Sequence, residues 1–562
     1  MRLGRIARVV SATVAAALTA ALIGCASIPT SGGVYAGAAI DSSDQEPFVF
    51  LPSGPADGAS AEEILQGFVA AAVRPQGGYE TARQFLAPDF ADEWDPNAGV
   101  LLHESPNVTR DQGGGDLQLA VSVVASVDRS GTYVEYADTL TSPLAFEVEQ
   151  IDGQWRITEA PSGVVMLRQT FERLYEQRTL YFYDPAFSSL VPDVRWFANG
   201  SDTSTRVVEA LLAGPSPALT SPVLASAFPV GSALARPVSV GSEGIVAVEL
   251  DESVLRAETL SQQRMKLQLT RSLIGGSIVS VTMQAGGVDI DVPDLGPDGP
   301  VLQPQVDPRA AVSIDGSFGW LSTGEIDPID GLSAQIESLE PTSVALDASA
   351  RRAAVGSANG VAYVNGGSDP LLVDPRGDLA PPALDSLGFA WSVPTNAPTA
   401  LQVSDSVGAV STVQSGWADL SSVVSIGVSR DGTRLLVYGI SGGSPVLRVY
   451  GIVRDGDSRP VSLAESWFDL APADGTPLSA TWADETTVAS LAGSETGDSR
   501  IQLQTVGGLS ESLSRPDPST LIVGANGANG LRVLSVEGEL QALRGAGWQT
   551  TAEDVQYVAN QR

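Results

Sequence analysis

The chain has 562 residues, a formal net charge of −34, one cysteine and one histidine, and these figures exclude several classes of function. Such acidity repels nucleic-acid phosphates, so no nucleic-acid partner is expected, and a lone cysteine rules out a disulfide framework, leaving stability to buried cores. Hydrophobic residues at 43% against 17% charged support packed domains, three or four at roughly 150 residues each, while 58 glycines and 36 prolines favour turns and short strands over long helices.

Arg2, Arg5 and Arg8 precede an apolar, Ala-rich run from Val9 to Ile23, which closes on Leu22-Ile23-Gly24-Cys25. A positive start, an apolar middle and small residues at the cut are the layout of a secretory signal, here residues 1–24. At 1.5 Å rise per residue, about fifteen apolar residues fall short of the roughly 30 Å hydrocarbon core, so a lasting membrane span is the weaker reading. The closing tetrapeptide resembles the bacterial lipoprotein signal, whose lipobox is Leu-x-Gly-Cys. That resemblance implies cleavage between Gly24 and Cys25, a diacylglycerol on the Cys25 thiol, and a palmitoyl chain on the new amino group. Two or more buried chains give stable anchoring where one does not, which would place the mature protein on the extracytoplasmic face of the cell membrane.

Residues 25–58 are rich in Pro, Gly and Ser without a sustained period, and read as a flexible, lipidated tether with one short strand from Pro47 to Leu51. A first α+β domain is expected over 59–177. Ser60 and Glu63 have the spacing of a capping box, and Ile64, Leu65, Phe68, Val69 and Ala72 then form a helical apolar stripe. A second short helix carries Ala82, Phe85 and Leu86 and ends at Pro88. Alternating runs follow, with Asp152-Gly153 as a hairpin signal before Trp155. Two helices leading into a curved antiparallel sheet, with a Trp on a late strand, resemble the cone-shaped nuclear-transport-factor-two-like fold.

A second α+β domain is expected over 178–300, with strands at TLYFYD and VRWFAN and a helix capped by Asp202 or Thr203. Val207, Val208, Leu211 and Leu212 share one face of that helix, and Gly214-Pro215 stops it. The stretches VVEALLAGPS, AFPVGSAL, GIVAVELDESV and LTRSLIGGSIVSVTMQAGG resemble the GerMN domain of spore-germination and sporulation lipoproteins, a domain with no established catalytic residues.

Residues 301–562 hold recurring short apolar strands and no convincing long helix. Aligning Asp347, Ser392, Ser429, Ala483 and Ala525 gives a period of roughly forty to fifty residues, the signature of propeller blades. The stretch at Ile314 reads as a further, shorter unit, and Asn359-Gly360 and Asp431-Gly432 as hairpin turns. The fold class is therefore multidomain: two α+β domains, the first cone-shaped and the second GerMN-like, followed by an all-β propeller of about six blades.

No residue pattern rises to a catalytic or metal constellation. Gly439-Ile440-Ser441-Gly442-Gly443 matches G-x-S-x-G, but that elbow needs a following helix and a histidine in reach, and another strand follows instead. His103 has the residue type of a general base, yet stands alone and reads as a surface or domain-edge side chain. Lys266 reads as the solvated face of an amphipathic helix. Asp289, Asp291, Asp294 and Asp298 have carboxylates for calcium but lack the EF-hand glycine and terminal glutamate, so a solvated linker is the better reading. The expectation is no enzyme and no cofactor.

Lipobox, tether, α+β domain, GerMN-like domain and propeller, in that order, together with GCASIPTSGGV at the mature start, resemble the actinobacterial LpqB lipoprotein family. That resemblance implies a non-enzymatic accessory of a two-component system, contacting the extracellular domain of an MtrB-like sensor histidine kinase that acts with the regulator MtrA in cell-envelope homeostasis and division. A second expectation is a module for cell-wall glycan or a small ligand. Clustered exposed aromatics would support it, although Trp320, Trp391, Trp417, Trp467, Trp482 and Trp548 are mostly expected in the core.

Overall fold

The computed structural model describes residues 53–562, apart from 75 and 298. Gly24, Cys25 and the tether strand expected at Pro47 to Leu51 lie outside these residues.

The first helix, Ala61–Ala72, starts as its sequence demands. Ser60 Oγ accepts from the Glu63 amide at 3.3 Å, and the Glu63 carboxylate accepts from the Ser60 amide at 2.8 Å. Its inward face buries Ile64, Leu65, Phe68, Ala71 and Ala72. The expected second helix is instead two short ones. Glu80–Arg83 ends early, and Pro88 opens the helix Pro88–Ala91 rather than closing its predecessor. Proline lacks only an amide that is unpaired at the first helical position anyway, so it starts helices more readily than it continues them.

Six strands follow: β1 (Gly99–His103), β2 (Val108–Gly113), β3 (Asp116–Asp128), β4 (Tyr133–Ile151), β5 (Gln154–Glu159) and β6 (Val164–Leu167). They form one sheet in the order β5-β4-β3-β1-β6, with β2 on β3. Strict alternation along β3 buries Leu117, Leu119, Val121, Val123, Ala125 and Val127 under the helices. Asp152 and Gly153 form the β4–β5 turn, which brings Trp155 onto β5.

The hairpin of β7 (Tyr175–Tyr183) and β8 (Leu190–Ala198) runs across the divide expected between 177 and 178. Every residue of β8 is buried. Tyr175 and Trp196 join the core of the first domain, whereas Leu180, Phe182, Val191 and Phe197 join that of the second. The second domain adds β9 (Ser239–Val240), β10 (Ile245–Leu250), β11 (Ser280–Ala285) and β12 (Val288–Asp289) in the order β12-β11-β10-β9. β10 and β11 are parallel, and the helix Thr259–Leu273 is part of their crossover. The helix Thr203–Ala213 ends at Gly214 as expected, but the Asp202 side chain makes no capping bond. The Thr203 hydroxyl accepts from the Gly200 amide at 3.0 Å and donates to the Ala198 carbonyl at 2.9 Å.

Six sheets form the propeller. Their innermost strands are Val555–Val558, Asn560–Gln561 (inside Ser343–Leu346), Ala383–Leu384, Leu420–Val428, Thr476–Trp482 and Ser519–Ala525. The ring is closed by the chain's far end: Val555–Val558 pairs with Ala311–Ile314 in the first blade, and Asn560–Gln561 runs beside Ser343–Leu346 in the second. The repeat alignment is corrected in the third blade. Ser392 ends that blade's second strand, and Asp385 occupies the position equivalent to Asp347, Ser429, Ala483 and Ala525. The inner strand there has only two residues, so the apolar run that follows supplied the stronger signal.

Blade turns account for part of the acidity. Asp347, Asp385, Asp405, Asp431, Asp455 and Asp484 each accept backbone amides two to five residues further on.

Candidate functional site

The residues singled out by sequence are not brought together. His103, expected at the surface or a domain edge, is buried at 6% exposure on β1. Its Nδ1 lies 2.7 Å from the Ser105 carbonyl, which can only accept, so Nδ1 donates there; Nε2 then accepts from the Asn107 amide at 3.4 Å. Lys266 is partly packed, donating to the Val292 carbonyl at 3.0 Å and pairing with Asp294 at 3.1 Å. Asp289, Asp291 and Asp294 are exposed, and Asp298 is outside the described residues. No group of three or more His, Cys, Asp or Glu is placed to hold a metal among the described residues. Ser441 ends a strand, Gly442-Gly443 form a hairpin turn, and the Ser441 hydroxyl donates to the Asp419 carboxylate at 3.0 Å. Trp391, Trp417 and Trp482 are fully buried, while Trp467 is 39% exposed with the Arg448 guanidinium 4.8 Å from its ring centre.

The geometry instead directs attention to the seams between domains. On β8, Asp193 and Arg195 form a buried pair at 2.8 Å, with side chains 0% and 1% exposed. Asp193 also accepts from the Ser216 amide at 2.8 Å and hydroxyl at 2.5 Å. Arg195 crosses to the first domain, donating to the Ser130 carbonyl at 2.8 Å, and also reaches the Gly214 carbonyl at 3.2 Å. At Gly131 the backbones come so close that a Cβ would lie 2.7 Å from the Trp196 carbonyl oxygen. Toward the propeller, Trp196 Nε1 donates to the Gly507 carbonyl at 3.0 Å. The buried Arg434, paired with Asp431 at 2.6 Å, reaches the Glu485 carbonyl at 2.7 Å and the Pro192 carbonyl at 3.4 Å. One apolar core runs from Val207, Leu211, Met265 and Leu269 through the hairpin to Leu436, Tyr438, Trp482 and Val488 of the propeller. The described residues, from 53 onward, thus form one compact unit.

The seams leave two recesses. One, of about 720 Å³, lies between β4 and the propeller and is lined by Glu135, Tyr136, Arg500, Gln502 and Arg515 among others. The other, of about 660 Å³, lies between the first two domains and is lined by Tyr79, Arg83, Trp94, Asp95, Asn97 and Arg206 among others. Its wall includes three successive left-handed residues, Gly77, Gly78 and Tyr79, at φ 66°, 66° and 63°. A bulky residue in that region is strained, and such strain gathers at functional sites. Burial raises the Tyr79 hydroxyl above its usual pKa. Trp94 is 1% exposed, packs edge-on against Tyr79 at 5.9 Å, and its indole N–H has no partner. Arg83 lies 5.6 Å from that ring and donates to the Gly78 and Trp94 carbonyls. The arrangement offers donors and acceptors of both signs around an aromatic floor, the inventory suited to an uncharged, polyhydroxylated ligand. In the sequence these residues carry one local signal, Gly77-Gly78 beside an aromatic.

Residues 54–172 match the family model for the N-terminal domain of lipoprotein LpqB, residues 179–291 a model described as sporulation and spore germination, and residues 316–558 the LpqB β-propeller domain. Lipoprotein LpqB of Cutibacterium acnes is 31% identical over 278 residues, covering 49% of this chain and 47% of the relative. That of Streptomyces coelicolor is 27% identical over 494 residues, covering 78% of each. The chain spans about half the length of the first curated relatives it matches. Among solved structures, TolB from Acinetobacter baumannii is similar at 14% identity and TM-score 0.34, covering 45% of this chain and 66% of that one. No helix among the described residues is long and apolar enough to cross a membrane. With its three domains matched in succession and its relatives spread across actinobacteria, the chain belongs to the LpqB lipoprotein family.

Proposed function

We propose that the protein is a lipid-anchored, extracytoplasmic and non-enzymatic accessory of a two-component sensor kinase, held at the membrane by Cys25 and contacting the extracellular domain of an MtrB-like sensor. The observation that carries this reading is the way the domains are joined: one core runs through the second domain and the propeller, and β8 ties the first domain to both through Arg195 and Trp196, so the body holds its surfaces in fixed relation. Anchoring scaffold and sensor to one membrane confines both to a thin layer and raises their effective concentration, so a modest intrinsic affinity suffices. The test is a titration of the purified sensor extracellular domain with the body 53–562. Saturable binding supports the reading, and none at the highest soluble concentration overturns it.

A second reading, cell-wall glycan binding, is favoured by the recess holding Tyr79, Arg83, Trp94, Asp95, Asn97 and Arg206. Pull-down with purified wall fragments, repeated with Arg206→Ala, separates the two: retention lost in the variant supports the glycan, and equal retention removes that recess from consideration.

A further inference from the structure

We propose that the first domain binds a hydrocarbon chain, in a cavity of about 240 Å³ between the helix Ala61–Ala72 and the inner wall of its sheet. The cavity shares no lining residue with either seam recess. Its wall is dominated by Phe68, Val69, Leu101, Leu144, Phe146 and Val165. Val69, Leu101 and Leu144 are only half-buried and form its open lip, whereas Phe68 and Phe146 are buried deeper in.

The polar side chains on the wall decide the ligand class, because each is already engaged. Ser126 Oγ shares a hydrogen bond with the Tyr136 hydroxyl at 2.8 Å. Asp128 Oδ1 accepts from the Ser130 amide at 2.9 Å, the Ser130 hydroxyl at 2.8 Å and the Thr132 amide at 2.8 Å. Ser162 Oγ accepts from the Asp95 amide at 3.4 Å. No Arg, Lys or His lines the cavity. A ligand therefore finds mainly shape and apolar contact there; Asp128 Oδ2 and the Ser162 hydroxyl proton, which make no bond among the described residues, are left for a neutral head group that both donates and accepts. An engineered apolar cavity of about 150 Å³ stays dry and takes up benzene; this one is larger, with room for a chain rather than one small ring. Asp128 on the wall and the chain's net charge of −34 disfavour an anionic head group, so the occupant is a neutral amphiphile with its chain inside and its head at the lip.

Two sources supply that chemistry, a free amphiphile and a membrane lipid. The test uses the compact body 53–562 and the neutral fluorophore N-phenyl-1-naphthylamine. Its emission should rise on binding and fall on addition of 1-decanol, and 1-decanol should raise the melting temperature of the unsubstituted protein, because a ligand of the folded state stabilises it. Leu144→Trp and, separately, Val69→Trp fill the cavity from two sides. Each should weaken fluorophore binding by about tenfold or more, the loss expected when even two buried methylenes are expelled. Flotation with phosphatidylcholine vesicles distinguishes the sources: flotation lost in both variants assigns a membrane lipid, and decanol binding without flotation assigns a free amphiphile. No melting shift with decanol in the unsubstituted protein overturns the proposal. So does fluorophore binding unchanged in both variants, provided their melting temperatures show them folded.

Discussion

Asp193→Ala tests the buried seam most directly. The substitution leaves the Arg195 guanidinium at 1% exposure with only the Ser130 and Gly214 carbonyls as partners, and strips the Ser216 amide and hydroxyl of their acceptor. Removing one member of a buried ion pair typically costs about 3–5 kcal/mol, because the surviving charge is uncompensated. Urea unfolding of residues 53–562 followed by fluorescence should therefore show a loss of unfolding free energy of that size, read as a lower midpoint at unchanged m. The three domains share cores, so the transition should remain single. Asp193→Ala combined with Arg195→Met removes the orphaned charge and should be no less stable than Asp193→Ala alone, the non-additive outcome expected of direct partners. A loss below about 1 kcal/mol in Asp193→Ala, or strict additivity in the pair, would refute the reasoning.

Further outcomes follow from other parts of the molecule. Gly131→Ala, at φ 83° with the Trp196 carbonyl in the way, should destabilise the protein by about 1–3 kcal/mol; an unchanged melting temperature would deny the close approach. For Asp374, Asp405, Asp419 and Asp431, burial pushes the carboxyl upward, but the hydrogen bonds and the neighbouring Arg376, Arg459, Arg448 and Arg434 outweigh it and hold each below its usual range. A folded value beneath the unfolded one of about 3.9 means that this stability is complete above pH 5 and is lost as pH falls through the folded values. Melting temperatures measured from pH 7 to pH 2 should accordingly drop below about pH 4, and a drop already under way at pH 6 would contradict the assignment. Cys25→Ala should leave the protein unlabelled by radioactive fatty acid and absent from the lipid-anchored membrane fraction; ordinary labelling would end the lipobox reading.

Legibility in the sequence followed the range of the physics. Ser60 with Glu63, Asp152-Gly153 and the recurring strand pattern of the propeller are short-range signals, and the structure matches them. Pro88 was misread because a proline before a helix and one after it look alike until the amides are counted. His103, between an apolar run and a proline-containing loop with no second histidine or cysteine, reads as a surface or domain-edge side chain, yet a carbonyl two residues on satisfies its ring and lets it be buried. The seam was hidden for a different reason. VRWFAN announces a strand, but that Asp193 and Arg195 sit dry inside it depends on Ser130, Gly214 and Ser216 arriving from elsewhere in the chain. The recess around Tyr79 and Trp94 likewise exists only where two domains meet.

The way the propeller closes also sets a schedule for biogenesis. Ala311–Ile314 is made early in its domain, but its inner neighbour, Val555–Val558, emerges more than two hundred residues later. Until then the first blade keeps an open edge, and an unpaired edge invites wrong partners. Pairings so distant in sequence form slowly, since the intervening loop must be ordered before the contact rewards it. On the export proposed above, the chain spends its most vulnerable interval outside the cytoplasm, after nearly all of it has been delivered. Its yield in the envelope should depend on how the unfinished ring is protected there.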